Sequence, residues 1–392
     1  MNSPLAPLTK ILAAISPPPI VITPDYDGLE FKWKFFTFRP ALFRNELYFV
    51  TAVIVYLVFY SIGKKANYNR AYKWVESHMP IYEAQFSAPV QAGGLTRDGN
   101  SDFFVFSTGR RAISSLHTVL TLRPRHDLFQ LVYQFIRGII ELDWKVVDEV
   151  ELDFTFQEDS NVPECIWAVV SKDELRGIRD RRWDLSFTRT TDHPSLPPSL
   201  TVMSEFADVT ENMFKQHGPF SLSSVLSSPE LLPYFRSLSL TDQPRTRPLA
   251  PLPASQRTKH LTLSLALPRS AAASTTLPIV DAAFKLVDIV TGTGGWGVGK
   301  GPGGKPGVGL NPSLKPETRT KLRVTREKLG KELKEEAVKE QREEAEEKKV
   351  AAKKKAEEER LSKLSAAEQK KQLERDRKRM LRKTQGKVAK AR

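Results

Sequence analysis

Leu47-Tyr-Phe-Val-Thr-Ala-Val-Ile-Val-Tyr-Leu-Val-Phe-Tyr-Ser-Ile-Gly63 is a run of 17 residues without a charge, closed by Glu46 on one side and Lys64-Lys65 on the other. As a helix it reaches about 26 Å at 1.5 Å per residue, which nearly matches the roughly 27 Å core of a thin bilayer such as that of the endoplasmic reticulum (ER). Ten of its side chains are Leu, Val, Ile or Phe. At mid-membrane these contribute roughly −3 to −6 kcal/mol before the polar residues are counted. Leu47, Val53, Ile54, Val55, Leu57 and Phe59 are the candidate anchor residues, and Tyr48 and Tyr60 stand near the ends where interfacial aromatics belong. A buried strand or core helix is the competing reading, helped by the β-branched residues.

Flanking charge does not orient the span. Lys32, Lys34, Arg39 and Arg44 precede it, Lys64, Lys65, Arg70 and Lys73 follow, and four against four is a tie under the positive-inside rule. The C-terminal side is assigned to the cytosol on other grounds. The chain has one cysteine, Cys165, in the apolar run Glu164 to Val170, which suits a buried thiol in a reducing compartment. Asn311-Pro312-Ser313 is blocked as a glycosylation site by its proline, and the C-terminal tail is basic. Ile11 to Ile15 is too short for a signal-peptide core, so the span itself is the expected targeting signal, with residues 1–46 lumenal. Within that segment Phe31-Lys-Trp-Lys-Phe-Phe-Thr-Phe38 mixes aromatics and cations, which fits a bilayer headgroup region or a docking strand.

Beyond Lys65 the pattern predicts a helix from Tyr68 to Phe86 and a short strand at Phe103 to Phe106. Helical spacing follows at Ile113, Leu116, Val119 and Leu120, and again at Leu128, Leu131, Val132, Phe135, Ile139 and Ile140. Strands are expected at Val146 to Phe156, Ile166 to Val170, Phe187 to Thr190 and, with strict period two, Leu261 to Leu267. Short helices are expected at Lys172 to Arg182 and Thr210 to Gln216, and an amphipathic one at Leu277 to Val290. The order does not repeat as βαβ units. The expected class is therefore an α+β domain over 64–291 with a mainly antiparallel sheet, beside one transmembrane helix over 47–63.

Gly292 to Gly309 is too rich in glycine to pack, and 292–314 reads as a flexible joint. From residue 315 to 392 the chain becomes Lys, Glu, Arg and Ala, which favours long charged helices. Leu322, Leu329 and Leu333 have heptad-like spacing, but Lys334 to Arg360 offers only alanines, Val338 and Val350, so no coiled-coil seam continues there. Glu-Lys pairs at i,i+4 support that stretch as a lone helix. Ser365-Ala-Ala-Glu368 matches a capping box, which predicts a second helix after a break near Leu364.

Residues 311–392 hold 28 Lys and Arg against 16 Asp and Glu, so this segment carries a net +12 of the chain's +14. Lys370, Lys371, Arg375, Arg377, Lys378, Arg379, Arg382, Lys383 and Lys387 are the candidate RNA-binding residues, and no acid interrupts the run from Arg377 to Arg392. Such a segment binds phosphates without reading sequence and weakens steeply with salt. A solvated helix and an anionic membrane surface are the competing readings.

Catalytic signals fail on context. Gly292-Thr-Gly294-Gly-Trp-Gly297 fits G-x-G-x-x-G and Gly294 to Lys300 begins a phosphate loop, but Gly301-Pro302 replaces the hydroxyl residue and helix start that phosphate binding needs. His78, His117, His126, His193, His217 and His260 lack metal-ligand spacing, and no nucleophile, base and orienter stand out. Neither an enzyme nor a cofactor is expected.

The order of features resembles the calumin family, the coiled-coil domain-containing protein forty-seven of animals. The likeness runs from about Glu46 onward and is carried by Tyr60-Ser-Ile-Gly-Lys64, Ala71-Tyr-Lys-Trp-Val75 and Ser107-Thr-Gly-Arg110. Ser199-Leu-Thr-Val-Met-Ser-Glu-Phe-Ala-Asp-Val-Thr-Glu-Asn-Met213, Thr258-Lys-His-Leu-Thr-Leu-Ser-Leu-Ala-Leu-Pro268 and the closing basic helices complete it. The resemblance implies an ER membrane protein whose cytosolic domain sits beside the translocation channel, with C-terminal helices reaching ribosomal RNA near the tunnel exit. It also implies a small membrane partner, Asterix, and an intramembrane chaperone acting on nascent multipass proteins. Animal members carry a long acidic lumenal segment linked to calcium, whereas residues 1–46 here hold only Asp25, Asp27, Glu30 and Glu46. The glycine joint also looks inserted, which implies a looser aim for the tail. An ER tether or calcium-homeostasis regulator with a membrane-binding tail is the second reading.

Overall fold

A computed structural model of the chain describes residues 28–34, 36–40, 44–90, 94–141, 144, 146–248, 257–293 and 309–362. They fall into two compact units, Met1–Thr246 with Arg257–Arg319, and Arg247–Gln256 with Thr320–Arg392.

The first unit is built on a sheet of nine strands in which every pairing is antiparallel. It begins after a two-stranded ribbon, β1 (Phe31–Trp33) and β2 (Phe36–Phe38), and a long helix, α1 (Arg44–Gln85). A meander follows: β3 (Thr96–Asp98), β4 (Asp102–Ser107), β5 (Ile113–Thr121) and, after helix α2 (Leu128–Ile140), β6 (Glu149–Phe156). The chain then crosses to β7 (Trp167–Ser171), helix α3 (Leu175–Arg181), β8 (Arg189–Thr191) and β9 (Leu200–Ser204). It returns through α4 (Ala207–Phe214) and α5 (Leu222–Leu226) to β10 (Phe235–Thr241) and β11 (His260–Ala266), which fill the gap between β6 and β7. The spatial order is β3-β4-β5-β6-β11-β10-β7-β9-β8. Helix α6 (Leu277–Thr291) and the short α7 (Leu310–Ser313) complete the unit.

The residues 113–121 form a strand, not the helix that the apolar spacing predicts. A β-bulge lies between Ile113 and Ser115, so two residues face one on β6 and Ile113 stays on the buried side with Leu116, three residues away. That spacing imitates a helical turn. Past the bulge Leu116, Thr118 and Leu120 are buried at period two, and Thr118 is satisfied there by the Tyr82 hydroxyl at 2.8 Å.

Sheet alternation decides where the core sits. On β6, Val150, Leu152, Phe154 and Phe156 are buried while the residues between them are half-exposed. Phe284 of α6 packs edge-on to Phe154 at 5.1 Å, to Tyr82 of α1 at 5.8 Å and to Phe86, just past the end of α1, at 5.9 Å. Trp74 and His78 of α1 stack at 4.0 Å and share the buried Thr276 hydroxyl, Trp74 Nε1 at 3.0 Å and His78 Nε2 at 3.1 Å. The C-terminal half of α1 is therefore a core helix. A smaller cluster of Ile166, Ala168, Val170, Leu185 and Met203 has Leu175 and Ile178 of α3 packed against it. Cys165 is fully buried and forms no disulfide.

Gly292 closes α6 with φ 75°, the left-handed cap that glycine takes without strain. Residues 294–308, most of the expected joint, lie outside the described residues, but the two ends meet: a Cβ on Gly309 would stand 3.0 Å from Thr291 O and 3.1 Å from Gly292 N. Leu310 and Leu314 are then buried, and Asp208 accepts from the Lys315 backbone N–H at 3.0 Å.

In the second unit the chain is dominated by helix α8 (Pro316–Ser362), whose first four residues belong to the first unit. Pairs at i,i+4 such as Arg323–Glu327 at 3.1 Å line it, and Arg247 pairs with Glu336. The break near Leu364 and the capping box at Ser365 lie outside the described residues.

Candidate membrane interface

Helix α1 changes character along its length. Its 42 residues extend about 63 Å at 1.5 Å per residue, more than twice what a bilayer core requires. Ala71, Trp74, Val75, His78 and Tyr82 are buried, whereas Leu47, Val53, Ile54, Val55 and Leu57 are between 54% and 64% exposed and Phe59 is half-exposed. Among the described residues, little protein therefore surrounds Leu47, Val53, Ile54, Val55 and Leu57. The competing reading of a buried core helix fails for them. Thr51 and Ser61 each donate to a carbonyl four residues back, Leu47 O at 2.7 Å and Leu57 O at 2.8 Å, which satisfies the hydroxyl hydrogens of the Ser and Thr side chains in this stretch without water. Among the described residues it is the one helix long and apolar enough to cross a membrane.

The exit from the apolar stretch is locked to the sheet. Asn100 donates to the Tyr60 hydroxyl at 2.9 Å, and Lys64 Nζ lies 5.9 Å from the Tyr60 ring centre. One turn on, Asn67 donates to Asn100 O and Arg123 O, both at 3.0 Å, and accepts from Arg125. Asp148, just before β6, takes Arg70 at 2.8 Å, Arg125 at 2.6 Å and the Arg123 N–H at 2.9 Å. Burial pushes the Asp148 carboxyl up, but the Arg125 and Arg123 hydrogen bonds and the Arg125 and Arg70 charges outweigh it and hold the group below the usual carboxylate range. Gly63 faces the 125–126 backbone so closely that a Cβ would stand 2.1 Å from Arg125 O.

Helix α2 springs from this same loop. Asp127 caps it, accepting from Gln130 N at 3.1 Å, and Arg137 closes its last turn through Glu141 at 3.1 Å and the Trp144 ring at 3.7 Å. None of its residues is buried; Phe129 is 76% exposed, Phe135 70% and Ile140 75%. Its Phe129 ring lies 6.0 Å from Tyr56 of α1. The sequence marks α2 as a helix but not as one without cover. The available signal is composition, since Gln130, Gln134 and Arg137 are its only amide or charged side chains.

The model of the family described as PAT complex subunit CCDC47 matches residues 42–383. The chain belongs to that family. The UPF0674 endoplasmic reticulum membrane protein of Schizosaccharomyces pombe is 29% identical over 215 residues, 53% of this chain and 56% of that protein. PAT complex subunit CCDC47 of Mus musculus is 26% identical and that of Homo sapiens 25%, each over 183 residues, 43% of this chain and 36% of theirs. The matched segment thus spans about half of the yeast relative and about a third of the mammalian ones. The CCDC47-family match takes in the apolar stretch, the sheet and most of the basic run. Lys370, Lys371, Arg375, Arg377, Lys378, Arg379, Arg382 and Lys383 fall inside its limits and Lys387 just beyond, all of them outside the described residues.

Proposed function

We propose that this chain is an ER membrane-protein biogenesis factor, a subunit of an intramembrane chaperone complex that works at the ribosome-bound translocon on multipass proteins. Membership of the CCDC47 family carries the reading, since the mammalian relatives are named as PAT complex subunits. In this reading α1 crosses the ER membrane with residues 1–46 lumenal and the sheet domain cytosolic. Asterix and the translocation channel are its membrane partners, and the basic tail engages ribosomal RNA near the tunnel exit. The +12 of residues 311–392 supports the last part, because neutralising RNA phosphates releases counterions.

The test is ribosome co-sedimentation from detergent-solubilised ER membranes, comparing the full chain with one ending at Leu310 while salt is raised. The expected result is that only the full chain travels with ribosomes and that it is released by salt and by RNase. Neither form co-sedimenting at low salt would overturn the proposal.

A further inference from the structure

The exposed face of α2 has no cover among the described residues. At 100° per residue, Gln130, Gln134 and Arg137 fall within about 60° of one another, and apolar side chains occupy most of the remaining circumference. Between α2 and the chain that follows it lies an open groove of about 530 Å³, whose lining is mainly apolar, with Leu131, Phe135, Ile139 and Trp144, and also includes Arg123 and Gln134.

We infer that α2 lies within the headgroup and upper acyl region of the bilayer leaflet on the Lys64 side, and that phospholipid acyl chains cover its apolar face and fill this groove. The inference rests on the reading that α1 crosses the membrane. Continuity with α1 identifies the occupant. Phe129 touches Tyr56, and Tyr56 stands seven residues, or about 10 Å of helix rise, on the bilayer side of Gly63. That is the depth, about 5 to 10 Å, at which interfacial helices bury their apolar faces. Charge agrees with depth. Lys64, Lys65, Arg123 and Arg137 gather at the exit of α1 and around the groove, suited to lipid phosphates, and Trp144 under Arg137 is the aromatic type favoured at that level. The Tyr56–Phe129 contact and the close approach of Gly63 to Arg125 fix α2 to α1, so the face is presented to lipid by a rigid mount.

Purified full chain in phosphatidylcholine vesicles, with single-cysteine labelling by a polarity-sensitive fluorophore, tests this. Cys165 is fully buried, and the labelled parent serves as the blank. The introduced cysteines are Ile139→Cys on α2, Val55→Cys in α1 and Asp159→Cys on a surface loop between β6 and β7. Lipids brominated near the glycerol and lipids brominated at the chain ends report depth. The expected result is that Ile139→Cys is quenched several-fold more by the shallow bromines than by the deep ones, that Val55→Cys shows the reverse preference, and that Asp159→Cys is unaffected by either. Quenching at Val55→Cys but not at Ile139→Cys would overturn the inference and leave the spanning reading intact. Absence of quenching at Val55→Cys would overturn both.

Discussion

Arg70 Nη1 and Asp148 Oδ2 meet at 2.8 Å, and through that contact the helix that begins as an apolar stake is fixed to the strand that begins the sheet's centre. The same carboxylate holds Arg125 and the Arg123 backbone, two residues of the loop that launches α2. One acid therefore sets the angle between α1, the sheet and the candidate interfacial helix. Asp148 is 5% exposed and Arg70 and Arg125 only 21% and 26%, so removing the acid leaves two partly buried guanidinium groups without their carboxylate. Asp148→Ala is expected to cost about 3 to 5 kcal/mol, the range for breaking a buried pair from one side. Thermal unfolding in detergent measures it. Because the folded carboxyl sits below its ordinary value, the contribution is intact above about pH 4, the unfolded value, and is lost only as pH falls further through the folded one.

A second acid-sensitive element titrates in a different window. His78 is fully buried against Trp74, its Nδ1 at 2.8 Å from the Trp74 carbonyl and its Nε2 beside the Thr276 hydroxyl. The carbonyl can only accept, so Nδ1 carries a proton, and in the neutral ring that burial favours Nε2 accepts from Thr276. Burial is the dominant cause that pushes its pKa down to about 4 from 6.5. Between those values the unfolded chain binds a proton that the folded chain refuses, so stability falls as pH drops through 6.5 and levels off below 4. Over the whole window the loss is roughly 3 kcal/mol. Denaturant unfolding at pH 7 and pH 4.5 is expected to show most of this loss in the parent and little of it in His78→Gln, which is less stable at both.

How far the sequence reveals these arrangements differs from element to element. On β11 Leu261, Leu263 and Leu265 alternate with Thr262 and Ser264 without interruption, and the strand is where the pattern puts it. The bulge in β5 shifts the phase by one residue, which turns a strand's spacing into a helix's at Ile113, and the bulge between Phe235 and Ser237 cuts the alternation of β10 to Leu238 and Leu240 with their serine and threonine neighbours. β9 is buried along its whole length, so Leu200 to Ser204 shows no alternation to read. The apolar span is legible from charge and length alone. The cover that α2 lacks is not, because a helix's period says which residues share a face and nothing about what the fold packs against it.

Gly63 tests whether α2 is held by α1. A Cβ there meets Arg125 O at 2.1 Å, Arg125 C at 2.4 Å and His126 N at 2.6 Å, all backbone atoms that cannot rotate away. Gly63→Leu is expected to push the 125–126 loop outward at a cost of about 1 to 3 kcal/mol, the range for overpacking. The specific readout is cross-linking of a Tyr56→Cys, Phe129→Cys pair by a short bismaleimide, which should be efficient in the parent and lost in the Gly63→Leu background. Undiminished cross-linking would mean that the loop absorbs the larger residue without moving α2.

The glycine-rich stretch gives the last prediction. Gly309 sits against Thr291 and Gly292, and Leu310 and Leu314 bury themselves at once, so the chain leaves and re-enters the first unit at one point. An excursion whose ends already touch adds length without adding reach. Replacing residues 294–307 by a two-residue Asn-Gly turn is therefore expected to leave the position of residue 310 and the ribosome co-sedimentation of the full chain unchanged. It should also raise stability by about 1 kcal/mol, since each halving of a closed loop recovers about 0.6 kcal/mol of closure entropy. In a chain of this size that is a rise of roughly 2 to 4 °C in Tm. A fall in Tm, or loss of ribosome binding in the shortened chain, would mean that these residues themselves make contacts on which the tail depends.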